Sequence, residues 1–180
     1  MTNSLETFAA GARSVWGPLT TELVAGLRSR IDALTAASPR ETWLEALHRT
    51  APASQELYRD PDHGFVLLAH AETAGLFRPP HDHGRGWVIY AVQRGELEIR
   101  TYARANDGDG RVRLVQRDSA ILRRGHALAY LPGDIHDTRC LSDTALLFRF
   151  TERDLHIEDR VEHRLTRYVD RGGVWTPMTP

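Results

Sequence analysis

The stretch "RPPHDHGRGWVIYAVQRGE", Arg78 to Glu96, sets two histidines, His81 and His83, one residue apart behind a double proline. In an extended strand successive side chains alternate faces, so both imidazoles point one way and Asp82 the other. Two imidazoles on one face can take adjacent positions around a single metal ion. In a chain with nine histidines, such a pair is also, and more often, a core or surface feature. His48, His63, His70, His156 and His163 have no partner at metal spacing.

The elements around the pair fall into two textures. Residues 1–60 read as helices. Leu19, Leu23, Leu27, Ile31 and Leu34 recur at steps of four and three, which puts them on one helical face. "SPRE" predicts a second helix with Ser38 as N-cap, Pro39 at the first helical position and Glu41 closing a capping box. Trp43, Leu44 and Leu47 would form its apolar face. "APASQELYRDPDHG" predicts one helical turn at most before a turn built on Asp60, Pro61 and Gly64.

From about Gly64 the chain breaks into strand-length pieces: "FVLLAHAE", "GWVIYAVQRGELEIRTYA", "GRVRLVQR", "HALAYLP" and "ALLFRFT". Turn chemistry such as "NDGDG", "RRG" and "PGD" separates several of them. Many short strands predict a β-sandwich or barrel. The expected organisation is a single domain over residues 1–180, with a helical N-terminal cap (1–60) on a β-barrel and C-terminal extension (61–180). "DLHIEDRVEHRLTRYV" fits a strand or a charged amphipathic helix equally well.

Composition narrows the functional classes. The 180 residues carry a net charge of −1, so no broad field draws the chain to nucleic acid or an anionic membrane, and neither is expected as a partner. The N-terminal residues lack the basic start and apolar core of a secretory signal. One cysteine, Cys140, excludes an intrachain disulfide and a CxxC zinc pair. A cytoplasmic protein is expected. All 23 basic residues are arginine, so a Schiff-base lysine is excluded and an anionic substrate would need arginine, histidine or backbone N–H groups.

Further along, Gly95 lies in a turn between two apolar stretches, and "GHALAYLPGDIHDTRC" brings Gly125, Gly133 and His136 in close order. His81, His83 and Gly95 followed by Gly125, Gly133 and His136 resemble the two sequence motifs of the cupin superfamily. Pro132 is displaced by one place and Cys140 stands at the second motif's asparagine. The resemblance covers about residues 64–155. It implies a mainly β fold, the cupin double-stranded β-helix or jelly-roll barrel, in which His81, His83 and His136 converge on a metal. His126 matches no ligand position.

At the first motif's glutamate this chain has Val88, flanked by Trp87 and Ile89. The implied site is therefore three neutral imidazoles without a carboxylate. A divalent ion there keeps its full charge, favours an anionic ligand, and deprotonates a thiol outright. Within the superfamily, "PPHDHGRGWVIYAVQRGELEIRTY" is similar to the three-histidine thiol dioxygenases of the cysteine and 3-mercaptopropionate dioxygenase type. That resemblance implies Fe(II) with O2 as co-substrate, although zinc, nickel or manganese also suits three histidines. The thiol dioxygenases carry an S-x-H-x-Y pattern on the strand after the second motif. In "DTALLFRFTE" the best register gives Leu146, Phe148 and Phe150, so the pattern is missing.

Alternation supplies further candidates. If Val88 faces the interior, so do Tyr90 and Val92, and Tyr90 offers a phenol near the metal. A core tyrosine bonded to backbone explains it equally well. Arg78, Arg85 and Arg149 are candidate forks for a substrate carboxylate, although if Phe148 and Phe150 face inward Arg149 faces out. Cys140 reads as a buried, inert thiol. The leading expectation is an oxygenase acting on a small thiol or other anionic molecule. A diketone-cleaving dioxygenase, an isomerase or lyase, and a non-catalytic ligand-binding cupin are the alternatives. Cupins pair through barrel edges, so a homodimer is expected by analogy.

Overall fold

Three helices open the chain in the computed structural model, which describes residues 2–178 except 107 and 109. In α1 (Ser4–Val15) the Asn3 side chain accepts from the Glu6 N–H while Glu6 accepts from the Asn3 N–H. Two of the helix's orphan donors are thereby satisfied. α2 (Thr21–Thr35) buries Leu23, Leu27, Ile31 and Leu34 on one stripe, as their spacing predicts. Leu19 precedes the helix and is 45% exposed, so it does not belong to that face.

α3 (Thr42–Thr50) starts later than "SPRE" implies, and neither Ser38 nor Pro39 is helical. Glu41 is the N-cap position and closes no capping box. Its carboxylate is committed elsewhere, accepting from the Ser4 N–H at 2.8 Å, the Ser4 hydroxyl at 2.7 Å and the Trp43 indole at 2.8 Å. A long-range tie to the start of α1 outcompetes the local signature.

Strand structure begins earlier than expected. β1 (Gln55–Arg59) replaces the predicted helical turn and pairs antiparallel with β2 (Val66–Thr73). It is an edge strand, and Glu56 and Arg59 give it the charged character that blunts such edges. β3 (Phe77–His81), β4 (Val88–Arg94), β5 (Leu97–Asn106), β6 (Val112–Leu122), β7 (Leu128–Tyr130), β8 (Ile135–Cys140) and β9 (Thr144–Thr151) complete the barrel. They form two antiparallel sheets, ordered β1-β2-β9-β4-β7 and β3-β8-β5-β6. This is the mainly β jelly roll with a helical N-terminal cap.

The strands of the larger sheet are covered on both faces. Outward, Leu67, Ala69, Trp87, Ile89, Ala91, Leu146, Phe148 and Phe150 pack with Leu27, Ile31, Leu44 and Leu47 of the helices. Inward, Val88, Tyr90, Val92 and Leu147 pack with Leu97, Ile99 and Leu122 of the opposite sheet. The β4–β5 turn requires glycine: Gly95 has φ +82°, and a Cβ there would lie 2.4 Å from the Thr144 carbonyl oxygen.

The ambiguous C-terminal stretch is neither one strand nor one helix. It contains a π-helical segment (Ile157–Val161) and then β10 (Tyr168–Asp170), which pairs with β11 (Trp175–Pro177). Buried Glu158 anchors it, accepting from the Arg85 N–H and Arg153 Nη1, each at 3.1 Å. Among the described residues no helix is long and apolar enough to cross a membrane.

Candidate metal centre

The histidine pair and the distant third histidine meet because β3 and β8 are neighbours. His81 is paired with His136 in the register of these antiparallel strands, and His83 lies just past the end of β3. The register shifts between Arg78 and His81, where Pro79 and Pro80 sit. Proline is tolerated there because β3 is an edge strand. One ring nitrogen from each of His81, His83 and His136 lies within 4.8 Å of the others. The ring centroids are 5.2, 4.9 and 4.9 Å apart.

Burial keeps all three imidazoles neutral. It pushes His83 and His136 well below the ordinary histidine range, and His81 downward in spite of its bond to a carbonyl. His81 Nδ1 lies 2.9 Å from the Pro79 carbonyl oxygen, which can only accept. The proton is thus on Nδ1 and the Nε2 lone pair is free, the arrangement that typically orients a metal-bound histidine. His83 Nδ1 and both ring nitrogens of His136 are buried without a partner. Unpaired buried imidazole nitrogens carry a desolvation cost that a coordinated ion would relieve. The residues fit a divalent metal.

The acids beside the ligands point away from the site. Asp82 accepts from the Gly84 and Thr166 N–H groups and from Arg104 Nη2. Asp137 accepts from the Arg100 guanidinium and the Tyr102 hydroxyl. Val88 is fully buried on the interior face beside Tyr90 and Val92. Among the described residues the cluster is three histidines with no carboxylate.

A cavity of about 510 Å³ opens from the cluster and is lined by His70, Glu72, Arg78, Tyr90, Leu147 and Arg149 among others. Tyr90 is buried, and its hydroxyl lies 3.4 Å from His83 Nε2. The three candidate arginines separate. Arg78 lines the cavity but is paired with Glu72, Nη2 to Oε1 at 2.8 Å. Arg85 is exposed and lines a different cavity with Trp16 and Trp87, so it does not reach the histidines. Arg149 faces inward.

That last placement reverses the expected register of β9. Leu146, Phe148 and Phe150 pack under the helices, while Arg149 lies across from Tyr90 and Leu147 across from Val92. The residues of β9 that share the inner face, across from Val92, Tyr90 and Val88, are therefore Leu147, Arg149 and Thr151. The S-x-H-x-Y pattern is absent in this register as well, but its middle position carries a cation. Both faces of β9 are apolar because helices cover one and the opposite sheet the other, so hydrophobicity did not mark which face turns inward.

Two further residues complete the picture. Cys140 is 2% exposed, its thiol donates to the Ser142 carbonyl at 3.2 Å, and burial pushes its pKa up, as expected of an inert thiol. His70, which sequence spacing leaves without a partner, is part of the cavity wall. Its only signal was alternation along β2, where Leu67 and Ala69 face the helices and His70 faces the other way.

No family model matches the sequence, and no curated protein matches it significantly. Among solved structures the chain is similar to the cupin domain of Schizosaccharomyces pombe Cnp3, at 11% identity and TM-score 0.44, covering 62% of this chain and 66% of that one. It is also similar to KdgF from Halomonas sp., at 19% identity and TM-score 0.42, covering 56% of this chain and 79% of that one. A recombinant oxalate oxidase in complex with glycolate shares 20% identity at TM-score 0.42, covering 56% of this chain and 51% of that one.

Proposed function

We propose that His81, His83 and His136 hold Fe(II) and that the protein oxidises a small thiol to its sulfinate with O2. The observation that carries this reading is a cluster of three neutral imidazoles, His83 and His136 buried and His81 half-buried, from which the adjacent Asp82 and Asp137 carboxylates are turned away. A bound Fe(II) would supply a divalent charge that deprotonates a thiol and a centre at which O2 reacts. Conversion of R–SH and O2 to R–SO2H breaks the O–O bond and makes both new S–O bonds. Sulfur supplies all four electrons, so no external reductant enters.

The chain's own residues set the conditions for that chemistry. The bond from His81 Nδ1 to the Pro79 carbonyl fixes one imidazole's tautomer. Leu147 and Leu155 give the cavity apolar walls that limit water. The Tyr90 phenol keeps its proton, because burial raises its pKa, and so remains a hydrogen-bond donor. Arg149 supplies a positive charge on the same side of the barrel.

The test is metal analysis of the purified protein followed by O2 uptake under Fe(II) with cysteine, cysteamine, 3-mercaptopropionate and a β-diketone. Thiol-dependent uptake with a sulfinate product is expected. Zinc or nickel with no uptake on any member of the panel rejects the reading, and uptake on the diketone alone replaces it with carbon–carbon cleavage. His136→Ala should abolish metal binding; full occupancy in that variant would show that the ligand set is wrong.

A further inference from the structure

The wall of the cavity formed by β2 and β9 carries two polar groups that each keep one buried nitrogen without a partner. Arg149 is one. Its guanidinium lies beside the Tyr90 hydroxyl, but its Nε is buried with no hydrogen-bond partner, and among the described residues it forms no ion pair. The other two arginines of the cavity are neutralised. Arg78 is held by Glu72 at 2.8 Å, and Arg167 forms a bidentate pair with Asp159 at 2.6 and 2.8 Å. The positive charge of the chamber is therefore concentrated at Arg149. Its field is felt by His70, His81, His83 and His136, in each of which it adds to burial in disfavouring protonation.

His70 is the other. It is 7% exposed, and its Nδ1 lies 3.1 Å from the Ala53 carbonyl oxygen. A carbonyl only accepts, so Nδ1 carries the proton and Nε2 presents a lone pair. That Nε2 is buried and has no donor opposite it. Burial, followed by the charge of Arg149, lowers the His70 pKa to about 4, so the ring is neutral and remains an acceptor near pH 7.

Strand register brings the two together. On the antiparallel β2–β9 pair His70 lies opposite Leu147 and Leu68 opposite Arg149. His70 and Arg149 are thus diagonal neighbours on the inner face, a separation that long side chains bridge. A guanidinium fork seeks an anion, and a buried imidazole lone pair seeks an N–H or O–H donor. Both line the cavity that also contains His81, His83 and Tyr90.

We propose that His70 and Arg149 form a two-point recognition subsite for a small molecule bearing a carboxylate, taken by Arg149, and an adjacent hydroxyl or amino donor, taken by His70 Nε2. This deepens the proposed function by naming its substrate class, and it rests on that reading only for where the reacting group sits. The preferred thiol is then one whose carbon chain carries both a carboxylate and a donor. A simple thiol acid fills one point of the two, and a thiol amine without a carboxylate fills the other.

Three probes of similar size that lack a thiol test the subsite without turnover: lactate, propionate and 1,2-propanediol. Their binding to the full chain, as purified and after chelator treatment, is measured by calorimetry or ligand-observed NMR. In the metal-free chain lactate should bind about fivefold more tightly than propionate, reflecting one hydrogen bond. Propanediol should bind more weakly than either. Arg149→Gln should weaken both carboxylates at least about tenfold, reflecting loss of a charge-assisted contact. His70→Leu should erase the advantage of lactate and leave propionate unchanged. Equal affinities for lactate and propionate in the unaltered metal-free chain overturn the proposal whatever the variants do, as does failure of every probe to bind. A chain that prefers lactate but holds no metal retires the proposed function and leaves the subsite standing. A chain that holds Fe(II) and shows no preference does the reverse.

Discussion

His70 is destabilised by taking up a proton. Its pKa of about 4 in the folded chain lies below the ordinary 6.5, so the unfolded state binds protons more readily through that interval. The stabilisation from keeping His70 neutral is fully present above about pH 6.5 and is lost as pH falls toward 4. It amounts to about 3 kcal/mol over the whole window. Urea denaturation at stepped pH values should show this slope, and His70→Leu should flatten it. The site histidines contribute with the same sign, so the difference between variant and parent isolates His70. At this scale the candidate ligand positions are legible. His81 and His83 stand out by their spacing, whereas His136 is picked out only by the resemblance of Gly125, Gly133 and His136 to a cupin motif. Arg149 and His70 were harder to read, because each depends on which face of a doubly covered strand turns inward. A polar residue in such a strand identifies a special position without identifying its side.

The elements show where local and long-range signals compete. α2 was readable because four apolar residues at helical spacing have one possible partner, the outer face of the larger sheet. Ile31 is fully buried there. Ile31→Ala should cost about 3 kcal/mol in chemical denaturation, since it leaves a cavity between two packed layers. It should leave metal affinity unchanged, because the helices touch the face of the sheet opposite to the histidines. α3 was misplaced because Glu41 reaches back to Ser4 instead of closing its own cap. β1 reads as non-strand because an edge strand carries charge in place of an apolar pattern. β8 also lacks an apolar run: Ile135 and Cys140 are its apolar ends, and His136, Asp137 and Thr138 between them are all buried. Its alternation is between chemical tasks, with histidine facing one side and aspartate the other.

Across the whole molecule, the C-terminal stretch contributes part of the chamber's lining and is anchored close to the turn that follows His83. Glu158 is buried against Gly84, where a Cβ would lie 2.5 Å from its Oε2 and where φ is +62°. Arg153 and Arg164 pair with the same carboxylate. Both arginines are partly solvated, so Glu158→Ala should destabilise the fold by about 2 kcal/mol, less than the loss of a fully buried pair. Hydrogen exchange should accelerate first in residues 153–168, with the sheets still protected. A different kind of security comes from Asp82 and Asp137, the two acids that follow His81 and His136. Slipping either strand by one position would drive an aspartate into the chamber, expel a histidine, and strand Arg104 or Arg100 without its counterion. The aspartates therefore act as keys cut for a single lock position, since each misaligned alternative would bury a carboxylate and leave an arginine unpaired.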